Sequence, residues 1–335
     1  MRMRFLSLAG AALAATALIL SGFAGPARAE EKVLKVVTGT PVSLVWNQPL
    51  KDFIAAVNER GKGVVQVELV GGPEAVPVPE QFRALSSGLV DMHFGPNQYF
   101  QGDIPASQAF NASNRSAMDL RADGAWDVIN GYYEPQGNIH YLGYFGSGYE
   151  FILLLREPPP EGGAFGRDFS GLRLRGTGTY APLYDALGVT LRDIQVAEVH
   201  TALERGAIDG LGWVTLAATD LGFDDFIKAR ILPTFWQGDL GMAINLDSWN
   251  ALPQEARTIL NEEAAKAEAK AHAFFQDLAA KEAAAFAAAG TQTIELPGDG
   301  AAAFLDTAYA SRWDEILQRM GEDDGGALRD LFYRP

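Results

Sequence analysis

The chain has 335 residues, 48% hydrophobic and 21% charged, a size for about two domains and a composition that can bury a core. Its 27 Lys and Arg against 42 Asp and Glu leave a net charge of −15, which argues against nucleic acid as the main partner because phosphate binding needs a basic face. There is no cysteine, and the four histidines (His93, His140, His200 and His272) are far apart. Disulfide frameworks, thiolate metal sites, thiol chemistry, a cysteine-linked lipid anchor and short histidine metal motifs are all excluded.

Arg2 and Arg4 precede an apolar run from Phe5 to about Phe23, then Gly25-Pro26 and the small-x-small triplet Ala27-Arg28-Ala29. This is the three-part layout of a secretory signal peptide. An uncleaved anchor is the alternative for so long an apolar run; the Ala and Gly content and the A-x-A site favour cleavage before Glu30. Residues 1–29 are therefore read as a signal peptide. No later stretch is long and apolar enough to span a bilayer.

Residues 33–38 form a short predicted strand ended by Gly39-Thr40-Pro41, and residues 49–58 an amphipathic helix stopped by Gly61-Lys62-Gly63. Alternation returns over residues 64–70, and a Pro-rich connector over 71–79 leads into a helix over 80–87. This βαβα rhythm predicts an α/β protein with a largely parallel sheet. Ala84-Leu85-Ser86-Ser87-Gly88-Leu89-Val90-Asp91 then recurs as Ala202-Leu203-Glu204-Arg205-Gly206-Ala207-Ile208-Asp209. Both read A-L-x-x-G-x-x-D, a helix closed by a left-handed glycine before a buried strand. Two similar lobes would explain the pair; so would chance, since the pattern is common.

Further along, residues 169–175 predict a strand carrying Arg173 and Arg175, residues 181–187 a helix closed by Gly188, and residues 189–196 and 209–215 two more strands. Residues 253–289 carry an Ala-rich helical pattern, with Pro253 in the first turn and Glu262/Lys266 and Asp277/Lys281 spaced as i,i+4 pairs. Ile259, Leu260, Ala267, Ala271, Phe274 and Leu278 mark its apolar stripe. A helix of that length can run across more than one domain.

Motifs with chemistry are few. Gly176-x-Gly178-x-x-Ala181 follows a strand as a dinucleotide loop does, but Pro182 and the short helix do not fit the usual crossover. Gly146-Ser147-Gly148 lacks the spacing of a nucleophile elbow, and neither a P-loop nor HExxH occurs. Asn111-Ala112-Ser113 is a glycosylation triplet of a kind frequent by chance. Asp224-Asp225 and Glu322-Asp323-Asp324 read as solvated turns, and nothing singles out a catalytic pair. Arg175 is sharper: a guanidinium in an apolar strand, before a Gly-Thr-Gly loop, where strand ends meet a cleft. It can hold a ligand carboxylate by two parallel hydrogen bonds or pair with an internal acid. Among the aromatics of connecting segments (Trp46, Tyr99, Phe100, Tyr144, Phe145, Tyr149, Trp213, Trp236), most are core. Trp213, at the end of a strand, can wall a pocket.

With these residues in view, the chain resembles the extracytoplasmic substrate-binding proteins of tripartite ATP-independent periplasmic (TRAP) transporters, the DctP type. The matching stretches are residues 61–69, 84–91, 171–175, 186–188, 198–210, and 244–253 leading into the long helix. The resemblance implies a two-lobed α/β fold of the type II periplasmic-binding-protein kind, with a hinge and a long helix spanning both lobes. Lobe I would take residues 30–149 and 241–282, and lobe II residues 150–240 and 283–335. It further implies a receptor, not an enzyme, that traps an organic acid by hinge closure and hands it to small and large membrane subunits. Arg175 would bind the ligand carboxylate and Trp213 would be a second contact, as in the subgroup taking 2-oxo acids and related monocarboxylates. Asn97 and Gln98 would touch ligand from the start of the helix after the first repeat's strand, Thr40 and Trp46 from the first loop; Tyr149 and Trp236 complete the set. Many relatives carry a basic residue near the Tyr149-Glu150 position, so a monocarboxylate is expected over a dicarboxylate. Neither cofactor nor metal is implied, and a periplasmic monomer is expected. A receptor for an ATP-driven importer and an exported α/β enzyme using scattered carboxylates are the rival readings.

Overall fold

The computed structural model describes residues 31–334; the expected signal peptide, residues 1–29, lies outside them. The chain opens with β1 (Lys32–Thr38), α1 (Gln48–Arg60), β2 (Val65–Gly71), α2 (Val78–Ser86) and β3 (Met92–Pro96), the predicted βαβα rhythm. It continues through α3 (Ala117–Ala122), α4 (Ala125–Gly137), β4 (Ile139–Tyr144), β5 (Glu150–Leu155), β6 (Arg173–Gly176), α5 (Ala181–Leu187), β7 (Thr190–Asp193), α6 (Val196–Glu204) and β8 (Gly210–Val214). It ends with β9 (Ala229–Gln237), β10 (Leu240–Asn245), α7 (Leu246–Asn250), α8 (Gln254–Ala288), β11 (Gln292–Glu295), α9 (Gly298–Met320) and α10 (Glu322–Phe332).

Two predicted strands are shorter than their apolar runs. The one expected from residue 169 starts only at Arg173, because a turn closed by Leu172 N–H on the Phe169 carbonyl (3.2 Å) occupies its first residues. The one expected to reach Val196 stops at Asp193. Gln195 takes the extended conformation of a helix cap, and Glu198 sits in the first turn of α6, where the helix dipole favours an acid.

The strands make two sheets, in the orders β2-β1-β3-β10-β4 and β11-β9-β5-β8-β6-β7. β1 lies parallel to β2 and β3, and β6 parallel to β7 and β8. β10 and β5 run antiparallel to their neighbours. The protein is thus a two-lobed α/β structure. The chain crosses between sheets after β4 and again after β9, and those two crossings lie side by side: Gly146 N–H donates to the Leu240 carbonyl (3.0 Å) and Gly238 N–H to the Tyr149 carbonyl (2.9 Å). Ser147, between the two glycines, accepts from Ala117 N–H (3.2 Å) and lies 3.3 Å from His272 Nδ1, a buried brace under the crossing.

The A-L-x-x-G-x-x-D segments do the same work in both sheets. Gly88 and Gly206 end their helices at φ 74° and 66°, the left-handed region where glycine is unstrained. Asp91 then accepts from the Lys35 N–H (2.9 Å) through its side chain, and Asp209 from the Arg173 N–H (2.8 Å). Each acid ties its own segment to the backbone of a neighbouring parallel strand, so the repeat is one structural unit used twice.

α8 backs both lobes. Ala256, Leu260, Ala264 and Phe275 join the core of the first sheet, while Phe286 packs with Ile152, Leu154 and Leu211 of the second. Of the two expected ion pairs along it, Lys281 meets Asp277 (2.6 Å), but Lys266 pairs with Glu263 (2.7 Å), and Arg60 of α1 reaches both Glu262 and Glu263. The helices after residue 297 make contacts on both sides. Trp236 of β9 donates to the Ala308 carbonyl (2.8 Å), yet Trp313 donates to Ala112 (3.1 Å) and Ser113 to Phe332 (2.8 Å). α9 and α10 therefore bridge the two.

Candidate functional site

Between the lobes, the ends of β1 and β3 on one side and of β6 and β8 on the other enclose a cavity of about 220 Å³. A cleft at the carboxyl ends of parallel strands is where open α/β folds place ligands. The first lobe contributes Thr40, Trp46, Gln98 and Tyr99; the second contributes Arg175, Thr177, Tyr180 and Trp213; Tyr149 and Asp239 come from the two crossings.

Arg173 and Arg175 separate the two readings of an arginine on this strand. Arg173 is the internal ion pair: it holds Asp209 with Nε–Oδ2 at 2.9 Å and Nη2–Oδ1 at 2.7 Å, a bidentate fork. Arg175, 7% exposed, meets no carboxylate among the described residues. Its Nε donates to the Ile194 carbonyl (3.2 Å), and its guanidinium carbon lies 5.2 Å from the centroid of the Trp213 ring. Trp213 is itself fixed by Nε1 donating to the Leu216 carbonyl (3.1 Å). A sheltered cation held against an aromatic face and left without a counter-ion is suited to receive an anionic group from outside.

Six of the eight residues singled out from the sequence line this cavity: Arg175, Trp213, Tyr149, Gln98, Trp46 and Thr40. Thr40 is engaged with Asn47, whose Nδ2 donates to its hydroxyl oxygen (3.0 Å). The Trp46 indole nitrogen is buried with no partner among the described residues. Tyr149 packs edge-on against Phe275 (5.0 Å), and Gly238 makes room for it: a Cβ there would fall 1.9 Å from its ring.

Asn97 and Trp236 stand behind the wall instead. Asn97 is buried, and its Nδ2 donates to the Asp239 carbonyl (2.6 Å), so its polar group is spent fastening the crossing to the end of β3. Trp236 is fully buried, held by α9 and packed on Tyr180 (5.5 Å) and Phe151 (5.8 Å). It supports two lining rings without reaching the cavity.

Two motifs acquire structural readings. Gly178-Thr179-Tyr180 is a 3-10 turn at the cleft mouth, and Thr179 donates across it to Gln98 Oε1 (3.1 Å). Asn111 of the glycosylation triplet is fully buried and donates to the Gln237 carbonyl (3.0 Å).

Asp239 escaped the sequence reading. It is 3% exposed, lines the cavity and accepts from the Gln98 backbone N–H (2.9 Å) through Oδ2. Burial pushes its pKa up to about 6, against the Gln98 N–H and the charge of Arg312, which both hold it down. Burial and this neighbouring carboxyl together push the Tyr99 phenol up to about 12. No local pattern distinguishes Asp239 among 42 acids; only its position between the two sheets does.

Two lobes joined by adjacent crossings, with an arginine facing the cleft between them, define a solute-binding protein of the periplasmic receptor class. Within that class the chain belongs to the DctP family: residues 37–319 match the family of bacterial extracellular solute-binding proteins, family 7. It is similar to the monocarboxylate 2-oxoacid-binding periplasmic protein of Nostoc sp., with 26% identity over 64% of this chain; the match spans 62% of that relative's length. Among solved structures it resembles a TRAP periplasmic solute-binding protein from Rhodobacter sphaeroides in an apo open form (TM-score 0.78, 16% identity, covering 90% of this chain and 98% of that one). It also resembles a Bordetella pertussis extracytoplasmic solute receptor binding pyroglutamic acid (TM-score 0.71, 17% identity, 90% and 99% covered).

Proposed function

We propose that this protein is an exported receptor that binds an organic acid, a monocarboxylate of the 2-oxo or 2-hydroxy kind, and delivers it to the small and large membrane subunits of a TRAP-type transporter. The observation that carries this reading is Arg175, buried in the interlobe cavity, laid on Trp213 and unpaired with any acid among the described residues. The family supports a receptor role, and the ligand class of the Nostoc relative supports the carboxylate. In this reading residues 1–29 are a cleaved signal peptide and the mature protein works in the periplasm as a monomer. Lobe I takes residues 30–149 and 241–282; lobe II takes residues 150–240 and 283–335, its helices α9 and α10 also contacting lobe I.

A thermal-shift screen of the exported chain against organic acids and neutral solutes tests the assignment. A ligand at 100 times its Kd adds about 2.7 kcal/mol to folded stability, a readable shift. Hits confined to carboxylates and absent in Arg175→Ala are expected. Hits among sugars or amines, or carboxylate shifts that survive Arg175→Ala, would overturn it.

A further inference from the structure

We propose that the cleft selects acids carrying a hydrogen-bond donor, a hydroxyl or an amine, in addition to the carboxylate, and that Asp239 is the group that reads it. The inference rests on Arg175 as the carboxylate anchor and specifies what else the same site reads on its acid, favouring the 2-hydroxy over the 2-oxo kind and admitting amines.

Asp239 and Arg175 line one cavity of about 220 Å³, the first from the crossing after β9 and the second from the end of β6. They are not an ion pair with each other, and Asp239 pairs with no Lys, Arg or His among the described residues. Arg312, whose charge it feels, makes its ion pair with Glu315 through Nη1 (2.7 Å), and its Nε and Nη2 are buried without a partner among the described residues. Of the two carboxyl oxygens, Oδ2 accepts from the Gln98 N–H, and apart from the residue's own backbone N–H no other described residue donates to the carboxylate. Oδ1 is not among the fully buried unpartnered atoms, so it is open to the cleft, and a ligand that displaces the solvent there without supplying a donor leaves it uncompensated. The neighbours on the cavity wall, Tyr99 and Tyr149, have phenols whose ionisation the Asp239 charge opposes, so they stay neutral beside it.

An ionised carboxylate can only accept hydrogen bonds. A ligand that offers it a keto oxygen sets acceptor against acceptor, and one that offers a methylene leaves Oδ1 unsatisfied. A hydroxyl or ammonium group donates to it directly, as a charge-assisted bond. The cleft therefore presents a cation for one end of a small acid and an anion for a donor elsewhere on it. This complementarity favours hydroxy acids and amino acids over plain and 2-oxo acids, a different preference from that of the 2-oxoacid-binding Nostoc relative.

The test is calorimetric titration at pH 8, where Asp239 is ionised, with acids of three to eight carbons that differ only in one substituent: 2-hydroxy, 3-hydroxy, 2-amino, 2-oxo or none. Wild type, Asp239→Asn and Arg175→Ala are compared. Wild type is expected to bind at least one donor-bearing acid about tenfold or more tighter than its oxo and unsubstituted counterparts, the scale of one charged hydrogen bond. Asp239→Asn, whose side-chain oxygen can still accept from Gln98, is expected to lose most of that discrimination while keeping the requirement for a carboxylate. Equal or tighter binding of the oxo or plain acids by wild type overturns the proposal, and so does undiminished discrimination in Asp239→Asn. The wild-type series decides even if the variant does not fold. Retained affinity in Arg175→Ala, or no binding of any carboxylate, overturns the anchor reading itself and is distinguished by its indifference to the substituent.

Discussion

Thr179 and Gln98 meet across the cleft: the Thr179 hydroxyl donates to Gln98 Oε1 at 3.1 Å, joining the turn after β6 to the turn after β3. The same Gln98 holds Asp239 through its backbone N–H. The contact fastens the two lobes to each other at the cleft. Thr179→Val keeps the shape and removes the bond, so the ligand-bound form is expected to close less completely. Affinity should fall about fivefold, the worth of one neutral hydrogen bond, and small-angle scattering of the saturated variant should show a larger radius of gyration than saturated wild type. Identical affinity and radius would show the contact idle.

Arg173 and Arg175 lie two positions apart on β6, and their loss should have opposite signatures. Arg173→Ala frees Asp209 and unfastens the strand start, so the Tm of the empty protein should drop while Kd stays within twofold. Arg175→Ala should leave the Tm of the empty protein near wild type and weaken carboxylate binding by a hundredfold or more, as expected for losing a sheltered bidentate pair. Melting curves with and without ligand separate the two effects, and a shared signature would contradict the assignment.

Trp213 serves as the platform under Arg175. Trp213→Phe keeps an aromatic face there and is expected to hold affinity within a few-fold, whereas Trp213→Ala should cost about tenfold, in the range of a desolvated cation–π contact. Both should lose part of the ligand-induced change in tryptophan emission, the remainder coming from Trp46 on the opposite wall. An unchanged spectrum in both variants would place ligand away from Trp213.

His93 sets an acid limit on the first lobe. Gln81 spends its amide N–H groups on the Thr38 and Val76 carbonyls and turns Oε1 to His93 Nε2 (3.0 Å), so the neutral ring carries its proton on Nε2. Burial pushes His93 from 6.5 down to about 3. Its folded pKa is depressed, so between those values the unfolded chain binds a proton that the folded chain refuses. Its contribution is complete above pH 6.5 and is lost as pH falls, by about 1.4 kcal/mol per unit. Asp239 works in the opposite sense, since its raised pKa lets the folded chain take up a proton first. Urea titrations from pH 7 to 4 should show a shallower loss of stability in His93→Gln than in wild type. Parallel curves would mean that His93 is protonated in the folded state.

Part of this architecture is legible because it is local. Apolar alternation in residues 32–38 and 65–71, the glycines after α2 and α6, and the Ala-rich run of α8 each report the backbone conformation of their own residues. Arg175 was legible for a related reason: a charge in an apolar strand needs a purpose wherever the strand sits. The end of β7 was misjudged because Val196 suits a strand by propensity, and tertiary placement of the α6 cap overrode it.

What the sequence determined by itself is the set of elements, the repeat and the presence of an arginine strand, all of which follow from periodicity and turn chemistry within a few residues. Tertiary structure alone decided which arginine is consumed and which is left open, since Asp209 reaches Arg173 from 36 positions away. It alone turned Asn97 and Trp236 inward and brought Asp239 to the cleft against Gln98, 141 positions distant. A side chain's charge is written in the chain, but its partners and its solvent are supplied by whatever the fold packs against it, and those determine whether it stabilises the protein or waits for a ligand.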